Sequence, residues 1–121
     1  MSKVIQGEGF TIDESKFDFF FGRVTSGADN TRRSRDNLEG LQELGISESA
    51  GGRSRLMQIF QSGLQAPIID TIEKRYGTTI VRKVEVAAGR GAIAVSYFYP
   101  DGDLNSIPRI TSLIPIIYPQ E

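Results

Sequence analysis

The chain has no cysteine, no histidine and no tryptophan among its 121 residues, and each absence removes a class of chemistry. Without cysteine there is no disulfide scaffold, thiolate zinc site, iron–sulfur cluster or cysteine nucleophile. Without histidine the usual neutral-pH general base, the Ser-His-Asp triad and nearly all transition-metal sites are gone. Any catalysis falls to carboxylates, Lys, Arg, Tyr or hydroxyls. An excess of one charge is lacking too: 14 Lys and Arg face 15 Asp and Glu, a net charge of −1, which gives no overall pull toward nucleic acid or anionic membranes. No window approaches the about 18–20 apolar residues that cross a bilayer. Met1 to Gly9 has no basic start leading into an apolar run, so no secretion signal is read. The longest apolar stretch, Leu113 to Tyr118, is broken by Pro115. The expectation is a cytoplasmic protein with no membrane partner, no cofactor and no metal site.

A hydrophobic share of 39% beside 24% charge argues against wholesale disorder. At this length a folded chain buries roughly two-thirds of its unfolded surface, so one domain over 1–121 is expected. Within it, 1–12 reads as a loosely ordered leader or edge strand, 13–66 as a helical part and 68–118 as an antiparallel sheet. Asp13 can cap a short helix with Phe17, Phe20 and Phe21 on its apolar face. Asn30 or Thr31 can cap a second, with Leu38, Leu41 and Leu44 on one face and a stop at Gly45. A third runs from about Glu48 to Leu64 and closes before Pro67. Residues 68–74 fit a strand or a short helix equally. Thr78 to Ala87, Ala92 to Tyr99 and Ile107 to Ile114 alternate as strands separated by turn signals. The predicted class is α+β, with two to three N-terminal helices followed by an antiparallel three- to four-stranded β-meander.

Two groups of residues can carry chemistry. Arg32, Arg33 and Arg35, with Arg23 before them, would sit in the first turn of the second helix, where guanidinium forks beside free N–H donors favour an oxyanion. That order opposes the helix dipole, which prefers acids first. The competing reading is a solvated helix start with Arg32–Asp36 and Arg35–Glu39 pairs. The second group is Arg82, Lys83, Glu85, Ser96, Arg109, Thr111 and Ser112 on the strands. On an uncovered sheet face such residues converge, and a Lys–Glu–Arg–Thr grouping suffices for ribonuclease chemistry without histidine, with Glu as base and Lys or Arg opposing the phosphorane charge. The competing reading is a wet face with cross-strand ion pairs.

The segment KFDFFFGRVTSGADNTRRSRDN at residues 16–37 resembles the opening motif of the C-terminal effector domains of bacterial polymorphic toxins, the haemagglutinin-like, contact-dependent inhibition kind. In the same order follow LGI at 44–46, AGGRSRL at 50–56, YGTTIVRKVEV at 76–86 and RITSLIP at 109–115. The resemblance implies a small toxin-like effector, nuclease-like, with an immunity-type protein as partner. It marks Arg23, Ser26, Asn30, Arg33, Ser34, Arg82, Arg109 and Thr111. Two departures stand out: the family pattern carries His where this chain has Asp29, and an acid where it has Lys83. The start at Met1 fits a divergent stand-alone member.

The leading expectation is therefore an effector acting on RNA or another phosphate-bearing substrate. Arg33, Arg82, Lys83, Glu85 and Thr111 would carry catalysis, and Arg23, Ser26, Asn30, Arg32, Ser34 and Arg109 would bind substrate, with activity in question for want of His. The alternative is a non-catalytic module that recognises an anionic or protein partner, or a homo-oligomer joined through Ile110 to Tyr118.

Overall fold

The computed structural model describes residues 3–87 and 89–119; Met1 and Ser2 of the expected leader and Ala88 of an expected turn lie outside them. The N-terminal segment forms a hairpin of two three-residue strands, β1 (Val4–Gln6) and β2 (Thr11–Asp13). Three helices follow: α1 (Ser15–Phe20), α2 (Ala28–Glu43) and α3 (Gly52–Gly63), with a 3-10 turn over Glu48–Ala50 before the last. The chain then lays down β3 (Ile68–Lys74), β4 (Gly77–Ala87), β5 (Gly91–Pro100) and β6 (Arg109–Ile117).

All the strands belong to one sheet of six, in the order β1-β2-β6-β5-β4-β3. Neighbours pair antiparallel except β2 and β6, which run parallel through Thr11↔Arg109 and Ile12↔Ile110. This corrects the expected two to three N-terminal helices followed by a three- to four-stranded antiparallel meander: the sheet is six-stranded and mixed, and it takes strands from both ends of the chain. Gly7 and Gly9 blur the alternation of residues 3–11, yet Phe10 and Ile12 are buried at 1% and 0% exposure. β2 is paired with β1 in the hairpin and, through Thr11 and Ile12, with β6, a long-range event that no local pattern announces.

The helices cover one face of the sheet. Ile80 and Val84 of β4, Ile93, Val95, Tyr97 and Tyr99 of β5, and Ile110 and Leu113 of β6 meet Leu41, Leu44, Leu56, Ile59 and the phenylalanines in a single core. Phe60 lies at its centre, edge-on to Phe10 (centroids 5.8 Å apart) and to Phe20 (6.3 Å). Tyr97 is fully buried and its hydroxyl donates to the Phe60 carbonyl at 2.7 Å. Burial pushes that hydroxyl's pKa well up, so it stays a neutral donor.

Local chemistry shifts several expected boundaries. Asp13 Oδ1 accepts from the Ser15 N–H (3.0 Å) and hydroxyl (2.9 Å), which fixes the entry to α1. α2 begins three residues before Thr31, because Gly27 takes φ 86°, open to glycine, and receives the Thr31 hydroxyl on its carbonyl at 2.7 Å. Asp29 thereby occupies the first turn and the arginines the second, so the expected conflict with the helix dipole is relieved at the N-terminus, while the last turn still carries Glu43 and no base. At Gly40, α2 passes close to β6: a Cβ there would lie 2.6 Å from Pro115 Cβ.

Residues 68–74, left open between strand and helix, form β3, which pairs only with β4 among the described strands. All seven of its residues are exposed. Within the segment expected as an oligomer interface, Ile110 to Tyr118, Ile110 and Leu113 are committed to the core, whereas Ile114 and Ile117 are exposed. Among the described residues no helix is long and apolar enough to cross a membrane.

Candidate functional site

β6 loses its parallel neighbour early. β2 pairs with it only as far as Ile110, after which the chain turns into α1. From Thr111 onward the outer edge of β6 faces α1 and α2 across a cleft. Two adjoining hollows of about 220 Å³ each occupy it and share Phe19, Arg33 and Ser112. The first also takes in Lys16, Asn30 and Thr111, and the second Asp36, Asn37, Leu113 and Ile114. Four consecutive residues of one strand cannot share a face, since side chains alternate, so the cleft follows the strand's edge.

A bulge aims one of these residues. Between β5 and β6 the register steps from Ser96↔Ser112 to Tyr97↔Ile110, leaving Thr111 as the extra residue. Bulges re-aim side chains and recur beside functional sites. The Thr111 hydroxyl bonds only weakly to the Ser96 carbonyl, at 3.4 Å. Opposite it, the Arg33 guanidinium lies 5.7 Å from the centre of the half-buried Phe19 ring. Neither Arg33 nor Lys16 makes an ion pair among the described residues. Two cations without carboxylates, an amide and a hydroxyl around one hollow can hold an oxyanion.

The other residues singled out from the sequence are placed elsewhere. Arg23 is held by Asp18 (2.8 Å) and by Glu48; hydrogen bonding to Glu48 and then Asp18 raises its pKa. Ser26 is exposed in the α1–α2 loop. Arg32 pairs with Asp29 at 3.9 Å rather than with Asp36. Arg82 projects on the covered face, where its Nη1 donates to the Ala66 carbonyl at 2.6 Å below the end of α3, while its Nε is buried without a hydrogen-bond partner among the described residues. Lys83 and Glu85 are on the uncovered face, 3.8 Å apart. The Tyr118 hydroxyl donates to Glu85 at 2.6 Å, and its ring lies 5.0 Å from Lys83 Nζ. The hydrogen bond with Tyr118 raises the Lys83 pKa, so Lys83 is a cation, not a base. Arg109 stacks over Phe98 (5.2 Å) on that same face. Of the five residues expected to carry catalysis, the cleft brings together only Arg33 and Thr111; Asn30 joins them from the binding set.

Ser34, from the same motif, is fully buried and ties the α1–α2 loop down. Its hydroxyl donates to the Phe19 carbonyl at 2.7 Å and accepts the Val24 N–H at 3.3 Å. Ser34→Ala leaves both groups without this partner and is expected to cost about 1–3 kcal/mol, read as a lower melting temperature, with the far-UV circular dichroism spectrum unchanged.

Lys16, Phe19, Asp36 and Asn37 are not among the site residues expected from the sequence, where Asp36 figures only as a pairing partner of Arg32. A signal did exist for Asn37: Ser34, Asn37, Leu41 and Leu44 recur every three to four residues on the buried side of α2. Two polar residues on an apolar stripe mark a place where the buried face meets something other than core.

Among solved structures, the fold is similar to a chain of the "Contact-dependent growth inhibition toxin - immunity protein complex from Klebsiella pneumoniae 342", with a TM-score of 0.66 and 21% sequence identity, over 86% of this chain and 97% of that one. No protein-family model and no curated protein sequence matches the chain. At that identity the likeness shows the fold.

Proposed function

We propose that this protein is a toxin-related effector that binds RNA, holding a backbone phosphate between Lys16, Asn30, Arg33 and Thr111, and that an immunity-type protein is its partner. The observation that carries this reading is the placement of Arg33 and Lys16, both without ion pairs among the described residues, across from the bulged Thr111. The fold likeness to a chain of a toxin–immunity complex and the ordered sequence motifs support it. In a ribonuclease reaction at this cleft the 2′-oxygen gives up its proton and bonds to phosphorus while the 5′-oxygen leaves and takes a proton up, and what the site contributes is positive charge. Arg33 and Lys16 oppose the charge on the phosphorane.

A second reading, a non-catalytic binder, is favoured by Asp29 standing in place of the family's His and by Glu85 being turned to Tyr118 on the other face. One experiment separates the two. The protein is incubated with total tRNA and rRNA, with and without Mg²⁺, and binding is followed as salt is raised. Discrete cleavage makes it an enzyme. Salt-sensitive binding without cleavage, with affinity falling steeply as ionic strength rises, makes it a binding module. RNA binding that is absent or indifferent to salt overturns both.

A further inference from the structure

We infer that the inner hollow of the cleft receives a nucleobase carrying an exocyclic amine, read by the side-chain amide of Asn37, so that the unit recognised is a nucleotide and not phosphate alone. This rests on the phosphate reading of the outer hollow.

Asn37 is only 8% exposed, and its Oδ1 is buried without a hydrogen-bond partner among the described residues. Buried polar atoms are nearly always paired, so an orphaned acceptor lining a hollow is fit to receive a donor from a ligand. A carboxamide presents an acceptor and donors side by side, the pattern that pairs with the edge of a base. Its terminal torsion is broad, so either atom can turn into the hollow.

The surroundings suit a base. Phe19, Leu113 and Ile114 supply apolar wall, and the Phe19 ring borders both hollows, offering a stacking face between a phosphate in one and a base in the other. Charge along α2 orients the ligand. Arg33 and Lys16 stand at one end, whereas Asp36, Glu39 and Glu43 line the cleft's continuation toward Pro115 and Ile117. A phosphate is attracted to the first end and repelled from the second. An exocyclic amine has two hydrogens and can donate to the Asn37 oxygen and to Asp36 together, whereas a base edge with carbonyls and a single ring N–H can donate to one of the two.

Calorimetric titration of the intact protein with adenosine monophosphate, uridine monophosphate and ribose 5-phosphate tests this. Adenosine monophosphate is expected to bind about tenfold or more tightly than either of the others, the discrimination one paired base edge supplies. Asn37→Leu, similar in shape but without the amide, is expected to remove that advantage and leave ribose 5-phosphate binding unchanged. Should the variant fold poorly, the Asn37 side-chain amide resonance in the parent protein serves instead: it is expected to shift with adenosine monophosphate and not with ribose 5-phosphate. Equal affinity for all three ligands, or an advantage that survives Asn37→Leu, overturns the inference alone. Failure of every ligand to bind, or binding indifferent to Arg33→Ala, overturns the phosphate reading and this inference with it.

Discussion

Arg33→Ala is expected to lose the phosphate-bearing ligand while melting as the parent does, and Arg82→Ala to do the reverse. Both arginines stand in motifs, and by sequence both serve equally well as phosphate ligands. The structure separates them. Arg33 is exposed, makes no ion pair among the described residues and lies over the Phe19 ring, so its removal costs the fold little. Its loss from the cleft removes charge-assisted hydrogen bonds worth about 1.5–3 kcal/mol, or roughly 10- to 150-fold in affinity. Arg82 instead donates to the Ala66 carbonyl from the covered face. Truncating it strips that carbonyl and the stem packed around it, for a loss of about 1–2 kcal/mol. Paired melting curves and RNA-binding titrations on the two variants check both halves. Loss of binding in Arg82→Ala with full binding in Arg33→Ala would return the site to the strands.

The largest stability effect is expected at Phe60. Its ring is fully buried and meets Phe10 and Phe20 edge-on, so it joins the N-terminal hairpin, α1 and α3 at one point. Phe60→Ala removes that contact and leaves a cavity that three separate elements must collapse to fill, at about 3–5 kcal/mol. Against a typical domain stability of about 5–15 kcal/mol this is a large share of the whole. By calorimetry the melting temperature should fall by roughly 12–20 °C at about 4 °C per kcal/mol. Phe60→Leu, which keeps most of the volume, should recover much of it. A fall of only a few degrees for the alanine variant would mean that the hairpin and α1 are held by other contacts.

Local pattern was enough for the elements whose signals are local. The strands over 77–87 and 91–100 follow from period-two alternation between turn residues, and α2 and α3 from apolar residues at three-to-four spacing. The absence of Cys and His limited the chemistry to carboxylates, cations and hydroxyls before any coordinate was known. The motif at 16–37 supplies Lys16, Asn30 and Arg33 to the lining of the cleft.

Tertiary structure decided the rest, for reasons that no window of sequence contains. Residues 11–13 pair locally with β1, but they join the main sheet because β6, almost a hundred positions later, offers Arg109 and Ile110 as partners. That pairing makes the sheet mixed and six-stranded, and where it ends the open edge of β6 begins. Strand parity placed Arg82 on one face and Lys83 with Glu85 on the other, since adjacent residues of a strand point opposite ways. A single-residue bulge then set Thr111 opposite Arg33, a displacement that depends on register across two strands. The sequence by itself determined which chemical groups the protein has to work with; which of them share one cleft was settled by strand pairing and register over long range.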